Sequence, residues 1–176
     1  MSGRFFGYGS LVNTATHLYG QVDRATVPGW RRVWVQSTAR QVAFLSVVPD
    51  TTCEIAGVTA SIGDAGWEAL DIREAAYDRL TLPDPHDGVA MYRAAPRFVG
   101  DPSLGQPILL SYLDVVVQGY LHEFGEDGVA QFFDTTDGWD APLLNDRSNP
   151  IYARAQEVSR SEIALTDHHL ARVQRF

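Results

Sequence analysis

The sequence contains a single cysteine, Cys53, so the chain cannot form an internal disulfide. A lone thiol is typical of a partly buried structural residue in a reducing compartment, and it argues against a small disulfide-stapled secreted protein. A catalytic thiol is the less favoured interpretation, because no pattern of histidines accompanies this cysteine. The cysteine content therefore indicates an intracellular protein.

Long apolar runs and a surplus of basic residues are also absent. No stretch is long enough to span a bilayer, and the N-terminus lacks a basic start followed by an apolar segment of signal-peptide length. The formal net charge is −8, whereas nucleic acids and anionic membranes require a basic face on their partner. We therefore expect a cytoplasmic protein with neither a nucleic acid nor a membrane as partner. A local basic pocket for a small anionic ligand is compatible with this balance.

What the chain does contain is enough apolar material for a core. With 176 residues, of which 45% are hydrophobic, residues 1–176 are predicted to form one domain. Segments rich in β-branched and aromatic residues predict strands at 4–8, 30–37, 42–48, 55–62, 77–82 and 89–94. Pro49-Asp50 is predicted to be a turn that makes a hairpin of the third and fourth of these.

Helical patterns are concentrated in the second half of the chain. Asp64 is expected to cap a helix that runs through Trp67, Leu70 and Ile72. Further helices are predicted at 108–121, 129–133, 151–160 and 166–176, with a break at 125–128 and a lid or packing loop at 134–150. Strands followed by helices predict an α+β fold, with a β-barrel or curved sheet partly wrapped by helices.

Two glycines flank a tyrosine at the end of the first predicted strand, in Phe6-Gly7-Tyr8-Gly9-Ser10-Leu11. Gly9 can bring its backbone close to a ligand and can adopt a positive φ without penalty. Successive backbone N–H groups at such a turn form an anion-binding concavity. This suits a carboxylate or an oxygen that becomes negative during a reaction. On spacing alone, a plain strand-ending turn is the favoured alternative.

A second candidate lies at the end of the predicted helix that contains Leu70. If the helix persists to Glu74, Trp67, Leu70, Asp71 and Glu74 share one face, and Glu74 is drawn toward apolar surroundings. Desolvation there would raise the pKa of the carboxyl toward a range in which it both accepts and donates a proton. The alternative is that the helix ends earlier and Glu74 pairs with an arginine on the surface. Periodicity alone does not separate the two.

Four short stretches in order resemble the γ-glutamylcyclotransferase superfamily, and in particular its ChaC-like branch. They are Tyr8-Gly9-Ser10-Leu11 after an apolar strand, the segment 31–38 with Arg-Arg, aromatic and Ser-Thr residues, the segment 47–58, and Leu70-Asp71-Ile72-Arg73-Glu74. The similarity covers about residues 4 to 95. Ala75-Ala76 stands where the branch usually has a longer segment with two glycines, which predicts a different turn after Glu74.

The resemblance implies a mixed β-barrel with surrounding helices and an enzyme that releases 5-oxoproline from a γ-glutamyl peptide or amine. It implies that Glu74 is the catalytic residue and that Tyr8, Gly9, Ser10 and Leu11 bind the substrate. Tyr92 is similar in placement to a strand tyrosine of the family's pocket. No metal and no cofactor are implied, and the one partner is a small-molecule γ-glutamyl substrate.

Other interpretations stay open at this point. The same fold could be an inactive small-molecule-binding or regulatory module, or an enzyme that forms a lactam or cleaves an amide in another substrate. Glutathione, γ-glutamyl dipeptides and γ-glutamyl polyamines all fit, and the oligomeric state is not indicated. Asp167-His168-His169 does not predict a metal site, because adjacent helical residues point in different directions and no second cluster has ligand spacing.

Overall fold

A computed structural model describes residues 3–86 and 88–174 of the chain. The strands are β1 Arg4–Gly7, β2 Gly20–Val35, β3 Phe44–Ser61, β4 Tyr77–Thr81, β5 Val89–Ala94, β6 Ile108–Leu109, β7 Thr136–Asp137 and β8 Leu143–Leu144. The α-helices are α1 Gly66–Arg73, α2 Leu110–Asp134 and α3 Arg160–Val173. Within the described ranges, no helix combines the length and apolar character needed to cross a bilayer.

Two long antiparallel strands, β2 and β3, form the largest part of the sheet. The predicted strand at 30–37 is only the second half of β2, and the segments 42–48 and 55–62 are parts of one continuous β3. The predicted Pro49-Asp50 turn is therefore wrong. Pro49 pairs with Trp30 where the register shifts, and such an irregularity tolerates a residue that lacks an N–H.

The short strand β1 lies inside the six-stranded sheet, whose order is β4-β5-β1-β3-β2-β7. It pairs antiparallel with β3 and parallel with β5. Because β1 has a neighbour on both sides, the chain that leaves it after Gly7 emerges from the middle of the sheet. This position brings the predicted substrate loop over the interior of the protein.

The helix α2 supplies much of the core, through Leu113, Val116, Val117 and Tyr120, each 0% exposed. It contains the predicted helix at 129–133 and that at 108–121 except for residues 108–109, which form β6. It bends at Gly125, where φ is +72°. Glycine adopts this φ without the steric penalty of other residues. The predicted break at 125–128 is thus a kink within one long element.

The C-terminal third differs from the prediction in its helices. Residues 151–159 are irregular, and α3 covers 160–173. A capping box fixes its start, since the Ser159 hydroxyl accepts from the Glu162 N–H and the Glu162 carboxylate accepts from the Ser159 N–H.

The segment 134–150 packs onto the body of the protein. It contributes β7, which pairs with β2, and β8, which pairs with β6. Buried Asp146 accepts hydrogen bonds from the N–H and the hydroxyl of Ser111, at 2.8 and 2.5 Å. The segment 134–150 is predicted to be a lid or a packing loop, and these contacts support the packing loop. The predicted α+β class, with a mixed sheet and surrounding helices, is confirmed.

Candidate active site

The loop that follows β1 presents a series of backbone donors. A short 3-10 turn runs over Ser10–Val12, and its hydrogen bonds begin with Val12 N–H to Gly9 C=O at 3.0 Å. The next is Asn13 N–H to Ser10 C=O at 3.1 Å. The N–H groups of Gly9, Ser10 and Leu11 precede the first of these bonds, so the turn itself supplies no acceptor for them.

Gly9 is required by space and not by a left-handed backbone. Its φ is −125°, so the predicted possibility of a positive φ is not used. A Cβ at this position would lie 2.8 Å from the Tyr112 hydroxyl oxygen and 3.3 Å from a methyl carbon of Leu45. Glycine therefore lets α2 approach the loop closely, and Tyr112 becomes a neighbour of the loop.

A buried arginine holds the loop from behind. The Arg32 guanidinium donates through Nε to the Tyr8 carbonyl at 3.0 Å, and the Tyr120 hydroxyl donates to the same carbonyl at 2.8 Å. Arg32 is 1% exposed and also contacts the Ala56 carbonyl and the Thr135 hydroxyl. The peptide that joins Tyr8 to Gly9 is thus fixed by two side chains from other elements.

Glu74 is the first residue after α1, and its N–H still donates to the Leu70 carbonyl at 2.9 Å. Helical hydrogen bonding therefore reaches Glu74, and the face shared with fully buried Leu70 turns inward. The Glu74 side chain is 15% exposed. The Glu74 main-chain carbonyl accepts from the Tyr77 N–H at 2.8 Å, and this hydrogen bond closes the turn into β4.

Burial and charge act on the Glu74 carboxyl in opposite directions. Desolvation raises its pKa, whereas the charges of Arg73, Arg154 and Arg40 lower it, and the net result is a raised pKa. Arg73 Nε lies 3.3 Å from Glu74 Oε1, and its own side chain is 8% exposed. The ion pair considered as the alternative therefore exists, but it lies below the surface.

One cavity that opens to solvent brings the predicted site residues together. Its lining contains the loop residues Tyr8, Gly9, Ser10 and Leu11, and also Glu74 and Tyr92. The other lining residues are Phe6, Gly7, Leu45, Tyr77 and Tyr112. Glu74 and the loop residues, which are far apart in sequence, thus line the same cavity.

Four tyrosines surround this carboxyl, and burial raises the pKa of each: Tyr8, Tyr77, Tyr92 and Tyr112. They stay protonated and neutral at ordinary pH, so they can donate hydrogen bonds but do not act as bases. Two of them fix the frame, since Tyr8 donates to the Tyr92 carbonyl at 2.6 Å and Tyr77 to the Leu45 carbonyl at 2.8 Å. Among the described residues that line the cavity, Glu74 alone is a carboxylate.

No sequence-family profile matches the chain, and no curated protein matches it in sequence. Solved structures do match. A human protein described as uncharacterized superposes with a TM-score of 0.60 at 14% identity, over 94% of this chain and 98% of that one. A structure named gamma-glutamyl cyclotransferase gives 0.57 at 14% identity, over 96% of this chain and 99% of the other. YkqA from Bacillus subtilis gives 0.58 at 14% identity, over 78% of this chain and 56% of its own.

The chain has the γ-glutamylcyclotransferase fold. The resemblance found in the four short motifs is thereby confirmed at the level of the fold, while the ChaC-like branch stays a prediction. The superposition establishes the fold. At 14% identity it does not establish the activity, which has to be argued from the site.

In this γ-glutamylcyclotransferase fold, a larger cavity adjoins the first. The two share Ser10, Glu74, Tyr77 and Tyr112 as lining residues. The remaining lining of the larger cavity is Arg40, Val42, Ala43, Phe44, Arg73, Ala76, Leu109, Tyr152 and Arg154. Glu74 therefore lies at the junction of a small, tyrosine-lined space and a larger, arginine-lined space.

Sequence analysis missed several residues of this junction. Tyr112 comes from α2, Tyr152 and Arg154 from the irregular segment before α3, and Arg40 from the connection between β2 and β3. Each stands alone in its segment, with no spacing pattern that could link it to the loop after β1. The one available signal was Arg73, which is adjacent to Glu74 in the sequence.

Proposed function

We propose that this protein is a γ-glutamylcyclotransferase that releases 5-oxoproline from a γ-glutamyl peptide or amine. Its main support is the single cavity whose lining residues include both the largely buried Glu74 and the loop residues Gly9, Ser10 and Leu11. A proton-transfer group and a set of backbone donors at one cavity are what an internal amide-exchange reaction needs. The γ-glutamylcyclotransferase fold is consistent with this activity.

In the proposed reaction, the α-amine of the substrate attacks its own γ-carbonyl. A five-membered lactam forms, and the bond from the γ-carbon to the leaving nitrogen breaks. Of the three ammonium protons, one stays on the lactam nitrogen and two end on the leaving amine. Nucleophile and electrophile belong to one molecule, so the protein contributes mainly the folded attack geometry and a path for protons.

Glu74 is proposed as the group that accepts a proton from the attacking ammonium and returns it to the leaving nitrogen. A carboxyl whose pKa is raised by burial is better matched to both steps than a solvated one. Arg73, at 3.3 Å from the carboxyl, keeps the charged form accessible so that it can act as a base.

The loop is proposed to bind the substrate and the developing oxyanion. The N–H groups of Gly9, Ser10 and Leu11 carry partial positive charge without moving, which stabilises a negative oxygen in a water-poor site. Tyr8 and Tyr92 form part of the binding wall, and the Tyr8 hydroxyl donates to the Tyr92 carbonyl at 2.6 Å. The Arg32 and Tyr120 contacts to the Tyr8 carbonyl keep this loop in position.

The test is an assay of 5-oxoproline release from a panel of γ-glutamyl compounds, with wild type, Glu74→Gln and Glu68→Gln. Glu74→Gln keeps the shape of the side chain but removes proton transfer, so turnover should fall by about 100-fold or more. Glu68 is exposed on the same helix and outside both cavities. Its substitution changes the net charge equally and should leave turnover within about twofold.

Three results would contradict the assignment in different ways. Near-normal turnover in Glu74→Gln would remove Glu74 from the mechanism. Binding of γ-glutamyl compounds without any 5-oxoproline would indicate an inactive binding module of this fold. Complete inertness toward the panel would favour an enzyme for a substrate that is not γ-glutamyl.

A further inference from the structure

The larger cavity is lined by positive charge, although the protein as a whole is acidic. The protein carries a formal net charge of −8. Yet among the residues that the structure describes, three arginines and a single carboxylate, Glu74, line this space. Arg73 is paired with that carboxylate at 3.3 Å, so Arg40 and Arg154 supply the excess positive charge.

Neither Arg40 nor Arg154 has a carboxylate partner in the part of the chain that the structure describes. No ion pair within 4.0 Å and no hydrogen bond of their guanidinium groups occurs there. Other arginines differ: Arg147, for example, contacts Asp114 at 2.7 Å and Asp167 at 2.8 Å. Two unpaired guanidinium groups on one cavity are therefore available to an anionic ligand.

The backbones that carry these two arginines are held in place. The Arg40 N–H donates to the Ser37 hydroxyl at 3.0 Å, and the Arg40 carbonyl accepts from the Gln106 side chain at 2.9 Å. The Arg154 carbonyl accepts from the Gln156 side chain at 3.1 Å. Both arginines also lie close enough to Glu74 for their charges to act on its carboxyl. The positive charge is thus built next to the proton-transfer group.

We propose that Arg40 and Arg154 bind a carboxylate on the leaving group, so that the substrate is a γ-glutamyl amino acid or peptide and not a γ-glutamyl polyamine. This inference rests on the proposed function. The glutamyl part occupies the small cavity beside the loop, and the scissile nitrogen lies near Glu74, where the two cavities meet. The leaving group then extends into the larger cavity, where a guanidinium favours a carboxylate and repels an ammonium.

The experiment compares three substrates that share the glutamyl part: γ-glutamyl-alanine, its C-terminal amide, and γ-glutamyl-putrescine. Wild type should turn over the acid with a kcat/KM about 10- to 100-fold above that of the amide, the range expected from a hydrogen bond to a charged group. The putrescine compound should be the poorest of the three.

The variants are Arg40→Gln, Arg154→Gln and the double substitution, with Arg160→Gln as the control. Each cavity variant should lower kcat/KM for the acid more than for the amide, because any effect on Glu74 is common to both substrates, so the gap between the two closes in the double variant. Arg160 is exposed, lies outside both cavities and has no ion pair within the described ranges. Its substitution should keep the gap. Retained amide turnover shows that each variant is folded.

The possible failures are distinguishable. Equal use of acid and amide by wild type would overturn the inference and leave the proposed function standing. An equal loss on acid and amide in the arginine variants would also overturn it, since the arginines would then act on the glutamyl part or on folding. If no compound releases 5-oxoproline, the proposed function fails. In that case the affinities of the acid and the amide are compared by calorimetry. A preference for the acid that depends on the two arginines supports anion recognition, and the absence of such a preference overturns the inference.

Discussion

The substitution Tyr120→Phe tests the support behind the substrate loop. The Tyr120 ring is fully buried in the core, and its hydroxyl accepts from the Arg32 guanidinium at 2.5 Å. The one hydroxyl proton is within reach of two acceptors, the Tyr8 carbonyl at 2.8 Å and the Ala56 carbonyl at 2.7 Å. Phenylalanine preserves the ring and its packing, so the change removes one oxygen and leaves almost no cavity. Replacing Arg32 would be harder to interpret, because it would remove a donor from the Tyr8 and Ala56 carbonyls at once.

The magnitude follows from what the remaining partners can still do. A hydrogen bond to a charged group is worth about 1.5–3 kcal/mol. After the change the Tyr8 carbonyl keeps its bond from Arg32 Nε, and the Arg32 guanidinium keeps the Ala56 carbonyl. We therefore expect a loss near the lower end, about 1.5–2 kcal/mol in the free energy of unfolding. For a chain of this size the Tm should fall by roughly 3 to 8 °C.

The assay is urea denaturation followed by tryptophan fluorescence, with Tm from circular dichroism. Tyr19→Phe is the matched control, because its ring packs on Phe5 at 5.0 Å and its hydroxyl has no hydrogen-bond partner among the described residues. The control should change the free energy of unfolding by less than about 0.5 kcal/mol. A loss in Tyr120→Phe no larger than that of the control would refute the idea that its hydroxyl supports the loop.

Two further predictions concern the loop and the proton-transfer group. Gly9→Ala should lower kcat/KM about tenfold or more, because its Cβ would lie 2.8 Å from the Tyr112 hydroxyl. Adding Tyr112→Phe should restore part of the loss, and absence of any rescue would locate the damage elsewhere. The raised pKa of Glu74 predicts that wild type loses stability relative to Glu74→Gln as pH rises from about 4, because the folded state then holds a proton that the unfolded chain releases. Urea denaturation between pH 4 and 8 checks this, with parallel curves as the contrary result.

Local sequence patterns predicted the elements that depend on residues close to one another in the chain. The strands predicted at 77–82 and 89–94 correspond to β4 and β5, and the predicted break at 125–128 corresponds to the kink at Gly125. The errors came where neighbours overrule local preference. Pro49 interrupts an isolated strand, but opposite Trp30 the register shift accommodates it within β3. Residues 151–159 resemble a helix in sequence, but contacts of the buried Ser111–Asp146 pair to Ile151 and Tyr152 hold the start of that segment in another conformation.

The sequence by itself determined the kinds of groups available: a loop of small residues after an apolar strand, a glutamate at the end of a helix, and a chain without a general basic character. Those depend on residue chemistry and on contacts between near neighbours. Only the tertiary structure decided that Glu74, Tyr112, Arg40 and Arg154 line adjoining cavities. The physical reason is that burial, and with it the pKa of a carboxyl and the partner of a guanidinium, depends on segments that are far apart in the chain and meet only when it folds.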